Sequence, residues 1–82
     1  MDEIRIPAGE LENILFGPGY TLIGVTFDAD GQTITLHTEH EGRGNSSPPI
    51  PAASALNGRD APAGAKLADA RLDGRTLVLT LA

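Results

Sequence analysis

The chain has 82 residues, no cysteine, and a net charge of −5. That length makes one domain, and the missing cysteine excludes a disulfide staple and a thiolate metal site. No stretch approaches the ~18 apolar residues of a membrane span, and the acidic start lacks the basic and apolar regions of a secretory signal, so a cytoplasmic protein is expected.

The charge is unevenly spread. Residues 1–42 hold eight acids (Asp2, Glu3, Glu10, Glu12, Asp28, Asp30, Glu39, Glu41) and one base, Arg5. Residues 43–82 hold three acids and five bases. The first half would repel a phosphate backbone, which disfavours direct nucleic-acid binding. It suits a protein partner with a basic surface.

In chain order, Glu3–Pro7 alternates and ends in proline, which predicts a short strand with Ile4 and Ile6 on one face. Leu11, Ile14 and Leu15 form an apolar stripe at helical spacing, with Glu10 and Glu12 in the first turn. A short helix at about 9–16 follows, packed on the sheet and stopped by Gly17-Pro18-Gly19. Residues 20–28 and 32–39 alternate around Asp30-Gly31, a pair suited to a two-residue turn. That turn pairs Phe27 with Ile34, Val25 with Leu36 and Ile23 with Thr38, and gathers the large apolar groups on one face. Asp73-Gly74 repeats the device, pairing Ala70 with Leu77 and Ala68 with Leu79.

Between the hairpins, residues 41–65 hold four Gly, four Pro and six Ala. Connections this long are functional or disordered in most domains. Ala52 to Leu56 has room for one helical turn. The rest is expected to be irregular, and either mobile or ordered by contacts outside its own domain. The uncharged run Thr76–Ala82 is strongly β-prone. It must be central in a sheet, covered, or paired with another chain.

Each motif with chemical content has a plainer reading. Aligning Asp28-Ala29-Asp30-Gly31 with a calcium loop puts His37 where a bidentate Glu belongs, so a hairpin turn is preferred. His37 and His40 point to opposite faces of a strand and are too few for a closed zinc site. Ser46, Ser47 and Ser54 lack a nucleophile elbow, and Gly17-Pro18-Gly19 and Gly42-Arg43-Gly44 lack the rest of any phosphate-loop pattern. Ser47-Pro48-Pro49-Ile50-Pro51 reads as a stiff linker before it reads as a polyproline ligand.

The expected fold is α+β, a mostly antiparallel sheet of about five strands built from two β-hairpins, with one short helix and the long loop 41–65. No catalytic, cofactor or metal residue is assigned. The expected function is a non-enzymatic, small acidic module that binds another protein and blocks or modulates it. Glu10, Glu12, Asp28, Asp30, Glu39, Glu41, Ile50 and Leu56 are its candidate contacts. The alternative is a structural or assembly subunit of a larger complex or virion that uses 41–65 as an arm, with a homo-oligomer open to either reading.

Overall fold

The computed structural model describes residues 2–56, 59 and 61–82. In order the elements are β1 (Glu3–Pro7), α1 (Ala8–Leu11) running into a π-helical turn (Glu12–Phe16), β2 (Thr21–Asp28), β3 (Thr33–His40), β4 (Arg43–Ser46), β5 (Ile50–Pro51), α2 (Ala52–Leu56), β6 (Leu67–Asp73) and β7 (Thr76–Leu81). The α+β class matches the sequence reading. The strands form two antiparallel sheets, ordered β1-β7-β6 and β2-β3-β4, with β5 also on β3.

The extra strands come from residues 41–65, which corrects the expectation of a segment irregular apart from one helical turn and either mobile or ordered by contacts outside its own domain. β4 pairs with His37–His40 and β5 with Thr33 and Ile34, so the two share the second edge of β3. Between them Ser47 N donates to Leu36 O at 2.9 Å, and Leu36 N donates to Ser47 Oγ at 3.0 Å. Ala52 N then donates to Gln32 O at 2.7 Å. The domain's own sheet thus takes up the backbone of Arg43–Ser47 and of Ile50–Ala52. The anticipated helical turn is α2, which buries Ala52 and Leu56.

The first hairpin keeps Phe27 opposite Ile34 and Val25 opposite Leu36, as the alternation requires. Its turn is longer than expected. Asp28 pairs with Thr33, which leaves Ala29–Gln32 as a four-residue loop. The positive φ falls on Gln32, at 50°. Asp28 Oδ1 shapes the loop by accepting from the amides of Asp30 (3.0 Å) and Gly31 (3.2 Å). Farther down, a bulge between Leu22 and Gly24 pairs Leu22, not Ile23, with Thr38. Leu22 is thereby buried and Ile23 turned outward at 53% exposure.

The second hairpin is shifted by two residues from the expected register: Leu72 faces Leu77 and Ala70 faces Leu79. A shift of two preserves which side chains share a face. The turn therefore centres on Gly74-Arg75, with Gly74 at φ 61°. Positive φ at the first central position alone is the pattern of a type II′ turn, which glycine adopts without strain.

β7 is the middle strand of its sheet, and all of Leu77–Leu81 is buried. Leu77, Leu79 and Leu81 point into a core shared with Ile6, Leu22, Ile34, Leu36 and Leu67. On the other face Val78 lies between Arg5 and Arg71 in register, and Thr80 between Glu3 and Asp69. This position resolves the β-prone terminal run as a central strand.

The two sheets meet along β2 and β6 without a backbone ladder. Side chains bridge the gap. Gln32 Nε2 donates to Leu67 O at 3.1 Å while Leu67 N donates to Gln32 Oε1 at 2.9 Å, so one side-chain amide stands in for a neighbouring peptide.

Candidate partner-binding groove

The helical segment begins as expected and then departs from the stripe. From Glu12 to Phe16 it widens into a π turn, closed by Gly17 N donating to Glu12 O at 2.6 Å. An i→i+5 turn takes more residues per revolution than an α-helix, so the α-helical register of the Leu11, Ile14 and Leu15 stripe is not kept and position i+3 is rotated away from position i. Leu11 stays packed on the core. Ile14 and Leu15 are carried outward, to 70% and 49% exposure.

These two side chains rim a groove of about 200 Å³. Ile6 and Leu77 form one wall and Ile34, Leu36 and Ile50 the other, with Leu11, Ser54, Ala55 and Arg59 completing it. Past Leu15 and Ile50 a second apolar depression continues over Phe16 and Pro48–Pro51. The two depressions are thus lined mainly by apolar side chains, with Arg59 as a cation at the margin of the first. Arg59 is paired there with Glu10 at 2.7 Å.

The acidic candidates are not gathered on one face. Asp28 and Asp30 are exposed at the β2–β3 tip, and Asp28 is occupied in shaping the turn. Glu39 and Glu41 are exposed near the other end of β3, with Glu41 at φ 54°. Thr33, which faces Asp28, and Glu39 stand six positions apart on β3, roughly 20 Å at ~3.3 Å per residue. Glu10 is half-buried against Arg59. Two candidates lie inside the protein. Leu56 is a core residue, and Glu12 is buried. Ile50 is half-buried and lines the groove.

Glu12 is a structural anchor. Its Oε2 accepts from Leu22 N at 2.6 Å and its Oε1 from Arg75 Nη2 at 2.8 Å, while Arg75 Nη1 donates to Leu22 O at 3.5 Å. The Arg75 hydrogen bond, then the Leu22 amide, hold the Glu12 carboxyl below its ordinary value, against the opposing effect of burial. Arg75 O also accepts from Ala8 N at 2.9 Å. The helix, the β2 bulge and the β6–β7 turn converge on this cluster.

The two histidines do separate to opposite faces. His37 bridges Thr26 Oγ1 at 2.7 Å and Ser46 Oγ at 2.8 Å, fastening β2, β3 and β4 across their outer face. Each of its ring nitrogens is thus engaged by a hydroxyl. His40 stacks on Tyr20 at 4.2 Å between ring centroids, and Tyr20 on Phe16 at 5.7 Å. This stack fixes the exit of the π turn. Among the described residues, no three His, Cys, Asp or Glu side chains come together as a metal site, and no helix is long and apolar enough to cross a membrane.

The sequence reading missed Ile14 and Leu15 as surface residues, because their spacing is that of a buried α-helical stripe. The one available signal is the length of the segment, too short for an α-helix to be held by its own hydrogen bonds. Compared with protein-family models, with curated proteins and with solved structures, the chain matches none.

Proposed function

We propose that this chain is a non-enzymatic protein-binding module that blocks or modulates a larger partner by seating an apolar anchor of that partner in the groove beside Ile14 and Leu15. The observation that carries the reading is the pair itself. Two adjacent large aliphatic side chains at 70% and 49% exposure, on the lip of an apolar groove, are costly in water and useful in an interface. The net charge of −5 favours a partner whose anchor is flanked by Lys or Arg, which would speed encounter at low salt.

The test is a peptide-display selection against the immobilised protein, followed by NMR mapping of the winning peptides. Enrichment of large apolar anchors with basic flanks is expected, with shifts at Leu11–Phe16 and Ile50–Ala55. Binding should drop by tenfold or more in Ile14→Asp, and association should slow as salt is raised. Peptides that map elsewhere, or that bind Ile14→Asp as well as the parent, would overturn the reading.

An assembly role finds its support in the β1 edge, not in residues 41–65, whose described strands lie along β3.

A further inference from the structure

β1 ends its sheet, with β7 on one side and no strand of this chain on the other among the described residues. The direction of its peptide groups follows from the ladder. Leu81 N donates to Asp2 O, and Ala8 N donates to Arg75 O, each at 2.9 Å. In an antiparallel pair, alternate residues exchange both of their hydrogen bonds with the same neighbour. Asp2, Ile4, Ile6 and Ala8 therefore point their peptide groups at β7. The amides and carbonyls of Glu3 and Arg5 point to the open side, where such groups form a template for another strand.

The side chains on this edge are opposite in sign and two residues apart. Charges of one sign on an edge would meet themselves across a symmetric contact and oppose it. Glu3 and Arg5 do the reverse. When two β1 strands meet antiparallel about a twofold axis through Ile4, Glu3 lies opposite Arg5 of the second copy and Arg5 opposite its Glu3. The same register sets the outward peptide groups of Glu3 against those of Arg5 in the second copy, so hydrogen bonding and charge agree on one alignment. Both side chains are exposed on the outer face, and half-buried Ile4 meets its own copy on the inner face. Among the described residues Glu3 makes two long ion pairs, 3.4 Å to Arg5 and 3.3 Å to Arg71, so little is lost on exchanging them.

We infer that β1 is a self-recognition edge. Two copies pair through it in the register Glu3–Arg5, Ile4–Ile4, Arg5–Glu3, making one continuous sheet ordered β6-β7-β1-β1-β7-β6 with closed twofold symmetry. This goes beyond the groove reading and is independent of it, resting on the outward peptide groups of β1 and the charges of Glu3 and Arg5.

The test is sedimentation equilibrium over a wide concentration range, with far-UV circular dichroism to confirm folding. The parent should show a concentration-dependent dimer. Arg5→Glu and Glu3→Arg each place like charges in both cross-pairs and should weaken that dimer roughly tenfold or more. The exchange variant Glu3→Arg/Arg5→Glu restores complementarity and should recover it. Mixing the two single variants should give a heterodimer, since one edge is then wholly basic and the other wholly acidic. A parent that stays monomeric at millimolar concentration overturns the inference. So does a dimer indifferent to the single reversals, or one that the exchange fails to rescue.

Discussion

The carboxylate of Glu12 grips the guanidinium of Arg75 at 2.8 Å although 63 positions separate them, and the same carboxylate takes the amide of Leu22. One acidic side chain thus joins the helix to both sheets. Leu22 is buried, and the Glu12 oxygen is the partner its amide takes.

The first prediction concerns acid and Glu12. Its folded pKa is lowered below the ordinary 4.5 by Arg75 and the Leu22 amide. A lowered carboxylate contributes stability that is present above its unfolded value and is lost as pH falls through its folded value. The parent should therefore lose melting temperature on acidification below about pH 4.5, beyond the loss seen in Glu12→Gln, which carries no titrating group there. Glu12→Ala also abandons the Leu22 amide and should cost about 1–3 kcal/mol at neutral pH. Thermal melts of the three proteins from pH 7 to pH 3 check both points. Parallel pH profiles for parent and Glu12→Gln would refute the linkage.

A second prediction comes from Thr38. Its side chain is wholly buried, and Oγ1 has no hydrogen-bond partner among the described residues. A buried hydroxyl left unpaired costs about 1–3 kcal/mol. Thr38→Val keeps the β-branched shape and removes that cost, so chemical denaturation should show a gain of about 1 kcal/mol. A loss of stability would mean that the hydroxyl is satisfied in solution.

Gln32 and Glu41 share a left-handed backbone, at φ 50° and 54°, and should respond to glycine with opposite sign. At either site glycine relieves about 1–2 kcal/mol of steric strain and adds about 0.5–1 kcal/mol of backbone entropy cost. Glu41 is exposed, so Glu41→Gly should gain up to about 1 kcal/mol. Gln32→Gly also strips both partners from the buried Leu67 peptide, a loss of about 1–3 kcal/mol for the amide alone. It should come out destabilised. Urea titration of the pair decides it.

What could be read from the chain follows the reach of each cause. The pairing of Phe27 with Ile34 was legible because alternation and the nearby turn act within a few residues. The bulge at Ile23 was not. Leu22 and Ile23 are adjacent and equally apolar, and the core chose between them. The two-residue slip at Gly74 preserved every face, so periodicity carried no signal against it. The π turn hid for a related reason, since Leu11, Ile14 and Leu15 keep α-helical spacing in a segment that does not keep α-helical bonds. Glu12 looked like a solvated helix-start carboxylate because Arg75, which buries it, lies far along the chain. Residues 41–65 read as loose because the partner for their backbone, the second edge of β3, is set by tertiary structure. The grouping of acids failed for want of that same information, as net charge does not say which end of a strand a side chain occupies.

The place of β7 between β1 and β6 has a consequence for how the protein is made. Glu3 faces Thr80, and Arg71 faces Val78. Synthesis delivers β1 early, yet its partner leaves the ribosome only after nearly all the rest of the domain. The β2–β3 hairpin needs only its own loop to close and can form as it emerges. The β1-β7-β6 sheet cannot begin until its middle strand arrives, and the pairing of β1 closes the longest loop in the chain. Until β7 is made, Ile4 and Ile6 lack the strand they pair with in the finished sheet.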